Sequence, residues 1–168
     1  MKSNIVLIGM SGAGKTTVGK ALSYKLKMAF VDIDNYIEAR NGMSISEIFE
    51  KYGEAHFRKL EAEATAYLSE NYKNTIISTG GGVVLNADNM KMLKNNGVLI
   101  YLNRTVESIL STLNSGKRPL LAANPKKLYE MYEIRHPLYL KYADICISNN
   151  GDFNECLKNI VDAIKNRM

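Results

Sequence analysis

Tryptophan is absent from the 168 residues, and the chain holds only three prolines, two cysteines and two histidines. Three prolines and no low-complexity stretch leave no room for a polyproline spacer or an extended linker. Cys146 and Cys156 lie ten residues apart, and neither they nor His56 and His136 show metal-ligand spacing. They are read as reduced thiols of a reducing compartment rather than as a disulfide framework or a zinc site. No apolar run approaches the roughly 20 residues of a membrane span. The short run Ile5–Ile8 is stopped by Gly9, so a secretory leader is not expected. The expectation is a single domain over residues 1–168, located in the cytoplasm and acting as a monomer, without membrane partners.

Excess charge is modest. Lys and Arg outnumber Asp and Glu by 22 to 17, a formal net charge of +5. The basic residues come singly or in pairs, with no stripe to track a phosphate backbone, so nucleic acid is not expected as a partner. A positive balance suits small anionic ligands equally well.

What the chain does contain is an alternation of strand and helix. Apolar runs at Ile5–Ile8, Ala29–Ile33, Thr75–Ser78, Val98–Leu102 and Asp144–Ile147 have the length and continuity of strands buried on both faces. Between them lie helical stripes: Val18, Ala21, Leu22 and Leu26; Phe57, Leu60, Ala64, Tyr67 and Leu68; Val106, Ile109, Leu110 and Leu113; and Phe153, Leu157, Ile160, Val161 and Ile164. Ser44 with Glu47 and Asp152 with Glu155 have capping-box spacing. The pattern predicts a three-layer α/β domain with a central parallel five-stranded sheet flanked by helices. One long loop is expected over residues 114–125, either a mobile lid or an idle surface loop.

Gly9-Met10-Ser11-Gly12-Ala13-Gly14-Lys15-Thr16 matches G-x-x-x-x-G-K-[ST] between a strand and an amphipathic helix. Glycines let successive N–H groups face inward as an anion nest, and the following helix adds its positive end. ATP is therefore assigned to Gly9, Gly12, Ala13, Gly14, Lys15, Thr16 and Thr17. Lys15 would reach the β- and γ-phosphates, and the Thr16 hydroxyl would ligate Mg²⁺. Lys15 is expected to be exposed and to contribute little to the core. No N-K-x-D base-reading segment is present, which argues against a GTPase. The third strand runs into Ser78-Thr79-Gly80-Gly81-Gly82 without a carboxylate, which leaves Asp32, ending the second strand, as the candidate second metal ligand. Asp32 and Asp34 alternate, so one can face Mg²⁺ and the other an acceptor hydroxyl. From the pair alone, a helix-capping Asp34 with a merely solvated Asp32 is an equally good reading.

Asp32-Ile33-Asp34-Asn35-Tyr36-Ile37-Glu38 resembles the D-x-D-x-x-I-E segment of the shikimate kinase family. So do Gly42–Phe49, Gly53–Glu61, Ser78–Gly82, Arg118-Pro119-Leu120-Leu121 and Arg135-His136-Pro137-Leu138-Tyr139 in order and spacing. The resemblance implies ATP-dependent phosphorylation of the 3-hydroxyl of shikimate. It implies an acceptor-binding segment at about 34–61, with Arg58 and Arg135 gripping the carboxylate. Gly80, Gly81 and Gly82 would approach the ring hydroxyls, and Asp34 would hold and deprotonate the 3-hydroxyl. Glu61 would orient Arg58, Phe49 and Phe57 would wall the ring or simply fill the core, and Arg118 in a lid over 114–125 would fold over the ATP phosphates. Asp34, Lys15 and Arg118 are thus the expected catalytic residues. The chain departs from the family in two places. Ile109–Thr112 offers no arginine to stack on adenine, and Ile134 stands where an acidic residue is common. A gluconate or nucleoside monophosphate kinase and a non-catalytic ATP-responsive protein are the rival readings.

Overall fold

The computed structural model describes residues 2–113, 124–165 and 167–168. Five parallel strands form one sheet: β1 (Asn4–Ile8), β2 (Ala29–Asp32), β3 (Thr75–Ser78), β4 (Gly97–Asn103) and β5 (Ile145–Ser148), in the order β2-β3-β1-β4-β5. Their hydrophobicity dictates this order. Every residue of β1 is buried, as are all of β3 and nearly all of β4, whereas no residue of β2 or β5 is fully buried and these two strands take the edges. Continuous apolar runs need cover on both faces, so the most apolar strand goes to the centre. Register pairs Leu7 with Ser78 and with Ile100, which brings the carboxyl ends of β1, β3 and β4 to one edge.

Eight α-helices among the described residues flank the sheet: α1 (Lys15–Leu26), α2 (Ile33–Asn41), α3 (Ile45–Tyr52), α4 (Glu54–Asn71), α5 (Ala87–Asn96), α6 (Val106–Leu113), α7 (Pro125–Tyr142) and α8 (Phe153–Ile164). The α3 start is a complete capping box: Glu47 N–H donates to Ser44 Oγ (3.2 Å), and Ser44 N–H donates to Glu47 Oε2 (2.6 Å). At α8 Asp152 accepts from Glu155 N–H (2.8 Å). None of the helices in these residues is long and apolar enough to cross a membrane.

Four expectations need correcting. The loop assigned to 114–125 ends sooner, because Asn124 caps α7 and Pro125 occupies its first turn, where a missing N–H costs nothing; residues 114–123, Arg118 among them, lie outside the described residues. Tyr67 faces outward at 48% exposure and stacks on Tyr36 (centroids 5.9 Å apart), because the buried stripe of α4 runs through Glu61, Ala64, Thr65 and Leu68 instead. Phe153 is 38% exposed and lines a cleft rather than the core. Lys15 is buried, not exposed. Both cysteines are free thiols.

Candidate active site

The glycine-rich turn after β1 needs its glycines for different reasons. Gly9, Gly12 and Gly14 have φ of 148°, 85° and 93°, which side chains rarely adopt, and a Cβ at Gly9 would lie 2.6 Å from the Leu102 carbonyl oxygen. Ala13 N–H closes the turn on the Met10 carbonyl (3.0 Å). Lys15 Nζ bends back over the loop and donates to the carbonyls of Gly9 and Met10, both at 2.7 Å. Its burial follows from these bonds, which satisfy an ammonium that would otherwise be costly to bury.

Asp32 ends β2 and caps α2, accepting from Asn35 N–H (3.1 Å) through Oδ1 and from the Thr16 hydroxyl (2.8 Å) through Oδ2. A hydroxyl and a carboxylate side by side next to the phosphate cradle form an oxygen-only donor set. That set fits Mg²⁺, which takes one or two protein oxygens and fills its remaining positions with water and phosphate. Among the described residues, no group of three or more His, Cys, Asp or Glu could hold a metal by itself, which such a shared site does not require.

Asp34 lies in the first turn of α2, half-buried, with Oδ1 shut off from solvent and unbonded among the described residues. Burial, reinforced by the charges of Asp32 and Glu61 and opposed by Lys15, pushes its carboxyl up to about 6. Glu61 is also raised by burial, opposed chiefly by Arg58, whose Nη1 donates to Oε1 at 2.9 Å. Arg58 sits over the face of Phe57 (5.2 Å to the ring centroid), and Phe57 packs on Phe49 (4.8 Å), so the two rings form a wall beneath the guanidinium.

Three successive glycines after β3 draw these groups together. A Cβ on Gly80 would lie 2.9 Å from Asp34 Oδ1 and 3.1 Å from Glu61 Oε2. On Gly81 it would lie 3.0 Å from Ser11 N of the phosphate loop and 3.3 Å from an Arg135 Nη, and on Gly82 it would overlap the Arg58 guanidinium. The glycines are the floor of a cleft in which two carboxylates, Asp34 and the Arg58-paired Glu61, and two guanidiniums converge beside the phosphate cradle. Ile134 is 64% exposed.

Sequence reasoning gave Tyr139 no role. Fully buried, it donates its hydroxyl to the Gly81 carbonyl and stacks on Tyr101 (4.9 Å). Burial pushes the phenol up, which keeps it protonated and a donor. Also missed were Arg104 and Asn149, which close on the outer side of the phosphate loop around a cleft of about 240 Å³ that Thr17 and Phe153 also line. Their one signal in the sequence is position, directly after the carboxyl ends of β4 and β5, where parallel sheets bind ligands.

The family model described as shikimate kinase matches residues 11–165. A shikimate kinase of Clostridium botulinum (strain Alaska E43) is 40% identical over 166 residues, covering 99% of each chain. One of Caldanaerobacter subterraneus subsp. tengcongensis is 48% identical over 147 residues, covering 86% of this chain and 85% of that one. Among solved structures, shikimate kinase from Acinetobacter baumannii in complex with shikimate superposes with a TM-score of 0.90 at 39% identity, covering 100% of this chain and 96% of that one.

Proposed function

The chain belongs to the shikimate kinase family, and from that premise we propose how its residues divide the ATP-dependent phosphorylation of the 3-hydroxyl of shikimate, a step of aromatic amino acid biosynthesis. The observation that carries the division is the glycine floor, where Asp34, Arg135 and Arg58 meet three consecutive residues beside Ser11 of the phosphate loop. An acceptor with a carboxylate at one end and a hydroxyl at the other fits two guanidiniums facing a carboxylate.

In this reading Arg58 and Arg135 hold the shikimate carboxylate, with Glu61 fixing the Arg58 fork. Gly80, Gly81 and Gly82 leave room for the ring, and Asp34 orients the 3-hydroxyl and takes its proton as the phosphoryl group arrives. Phosphoryl transfer is mostly positioning and charge stabilisation, so these tasks account for most of what the protein must do. ATP phosphates lie on Gly9, Gly12, Ala13, Gly14, Lys15, Thr16 and Thr17. Lys15 exchanges its two carbonyl partners for phosphate oxygens. Thr16 and Asp32 hold Mg²⁺, which when bound neutralises phosphate charge. Arg118, within Arg118-Pro119-Leu120-Leu121, is the lid residue that offsets developing charge as the phosphoryl group moves. Two free thiols suit the cytoplasm.

The test is ADP release from ATP and Mg²⁺ with shikimate, gluconate and nucleoside monophosphates offered in parallel. Turnover with shikimate alone is expected. Comparable turnover with either rival acceptor overturns the acceptor assignment.

A further inference from the structure

Two side chains outside every predicted site grip the phosphate loop from behind. Arg104 Nη1 donates to the Gly12 carbonyl (2.9 Å), and Asn149 Nδ2 donates to the Ala13 carbonyl (2.8 Å). These are successive carbonyls of the nest itself. Both grips are in turn braced. Arg104 Nε donates to Ser108 Oγ (3.0 Å) at the start of α6, and Asn149 N–H donates to the Asn103 carbonyl (2.9 Å) at the end of β4. Asn150 Oδ1 accepts from Thr105 N–H (2.8 Å), which ties the turn after β5 to the turn after β4. Asn149 lies so close under the loop that a Cβ at Gly14 would stand 2.7 Å from its Nδ2.

A trans peptide is a rigid plane whose C=O and N–H point in opposite directions, and the chain has no cis peptide among its described residues. Pulling the Gly12 carbonyl outward therefore turns Ala13 N–H into the loop, where it closes on Met10 O (3.0 Å). Pulling the Ala13 carbonyl outward turns Gly14 N–H away from Asn149 in the same sense. Glycines at positions 12 and 14 make the loop easy to bend but also easy to unbend, since Gly resists no alternative φ. Something else must select the phosphate-ready form, and two braced donors on the outer carbonyls do so.

We propose that Arg104 and Asn149 are positioning residues for the phosphate loop, holding two successive carbonyls outward so that the curl of the loop, closed by Ala13 N–H on the Met10 carbonyl, is set for phosphate before nucleotide arrives. The inference rests on the assignment of this loop to ATP phosphates. It gives the turns after β4 and β5 a task that requires no contact with the nucleoside.

Isothermal titration of the full chain with Mg²⁺-tripolyphosphate and with Mg²⁺-ATP tests it, using wild type, Asn149→Ala and Arg104→Lys. Asn149→Ala changes no charge and removes one neutral donor, so both ligands should weaken by the same factor, about three- to tenfold. Arg104→Lys, which keeps a charged donor but not the fork, should give a smaller parallel loss. Amide ¹⁵N shifts of Ala13 and Gly14 in the ligand-free Asn149→Ala variant should move, while shikimate affinity without nucleotide stays at the wild-type value. A loss for ATP with tripolyphosphate unaffected would assign the two residues to the nucleoside and overturn the proposal, as would unchanged binding of both. Wild type that fails to bind tripolyphosphate and ATP alike refutes the phosphate-loop assignment itself. If Asn149→Ala does not fold, Asn149→Ser, with a donor of shorter reach, carries the same comparison.

Discussion

A methyl group at Gly82 would occupy the space now filled by the Arg58 guanidinium. The backbone there has φ −91° and ψ 1°, which alanine can adopt, so Gly82→Ala perturbs a side chain and not the turn. The guanidinium stands on a flexible stem and can retreat, but its bond to Glu61 Oε1 at 2.9 Å must lengthen or break. Glu61 is only 1% exposed, so the fold should lose on the order of 1–2 kcal/mol rather than the ~3–5 kcal/mol of a buried pair with one partner deleted outright. The larger effect falls on the acceptor. A displaced Arg58 no longer completes a charge-assisted grip valued at ~1.5–3 kcal/mol, which corresponds to a KM for shikimate raised about ten- to a hundredfold. KM for ATP should stay within about twofold, since none of the residues displaced touches the phosphate loop. Initial rates by coupled ADP release, with shikimate and ATP varied in turn, give both constants. A thermal melt confirms that the variant is folded. An unchanged KM for shikimate in a folded variant, or an equal rise for ATP, would refute the placement of Arg58 in the acceptor grip.

Two other substitutions probe different links. Asp34→Asn keeps the shape and one acceptor oxygen but removes the charge, so kcat should fall at least ~100-fold with Mg·ATP affinity unchanged in direct titration; a fall of only a few-fold would remove Asp34 from proton transfer. Asp144 holds Leu99 N–H (3.0 Å), Lys2 (3.2 Å) and Lys94 (3.3 Å) where β4 meets β5. Burial opposes its ionisation, yet these partners outweigh burial and keep the carboxyl below its usual range. A depressed carboxylate stabilises the fold above its unfolded pKa of about 4 and loses that contribution as pH falls through the folded value. Asp144→Asn should therefore cost about 1 kcal/mol in denaturant melts at pH 7, with the gap to wild type closing below about pH 4; a gap that persists in acid would show that packing, not charge, is what Asp144 supplies.

Much of this arrangement is written locally. Buried parallel strands need uninterrupted apolar runs, so Ile5–Ile8 and Thr75–Ser78 are visible without any structure. The phosphate loop is a contiguous motif, and Asp32, Asp34, Arg58, Glu61 and the three glycines lie in short segments whose order is recognisable. What could not be seen depends on crossings between distant segments. Arg104 and Asn149 reach Gly12 and Ala13 across 92 and 136 residues, and beyond their position after a strand end no neighbouring motif marks either. Tyr139 meets Gly81 across 58 residues and reads as one more aromatic on a helix. Tyr67 was misassigned because an apolar stripe predicts a helix face but not its width, and the face turned toward Glu61 and Thr65. Lys15 was expected outside because its two carbonyl partners become neighbours only once the loop has curled.

The strand order has a further meaning for how such an enzyme can change over generations. On one side of β1 lie β3 and β2, joined by a crossover of three helices that carries Asp34, Arg58 and Glu61. On the other lie β4 and β5, whose following turns hold the phosphate loop from outside. In the proposed division of labour, the donor machinery and most of the acceptor recognition are thus inherited as separate stretches of chain that meet at the β1 seam, with Arg135 on α7 the one proposed acceptor group among the described residues contributed from the far side. A lineage could lengthen, shorten or replace the crossover between residues 33 and 71 and so redirect the transferred phosphoryl group to another hydroxyl. The register of β1 with its neighbours, and with it the ability to handle ATP, would pass down unaltered.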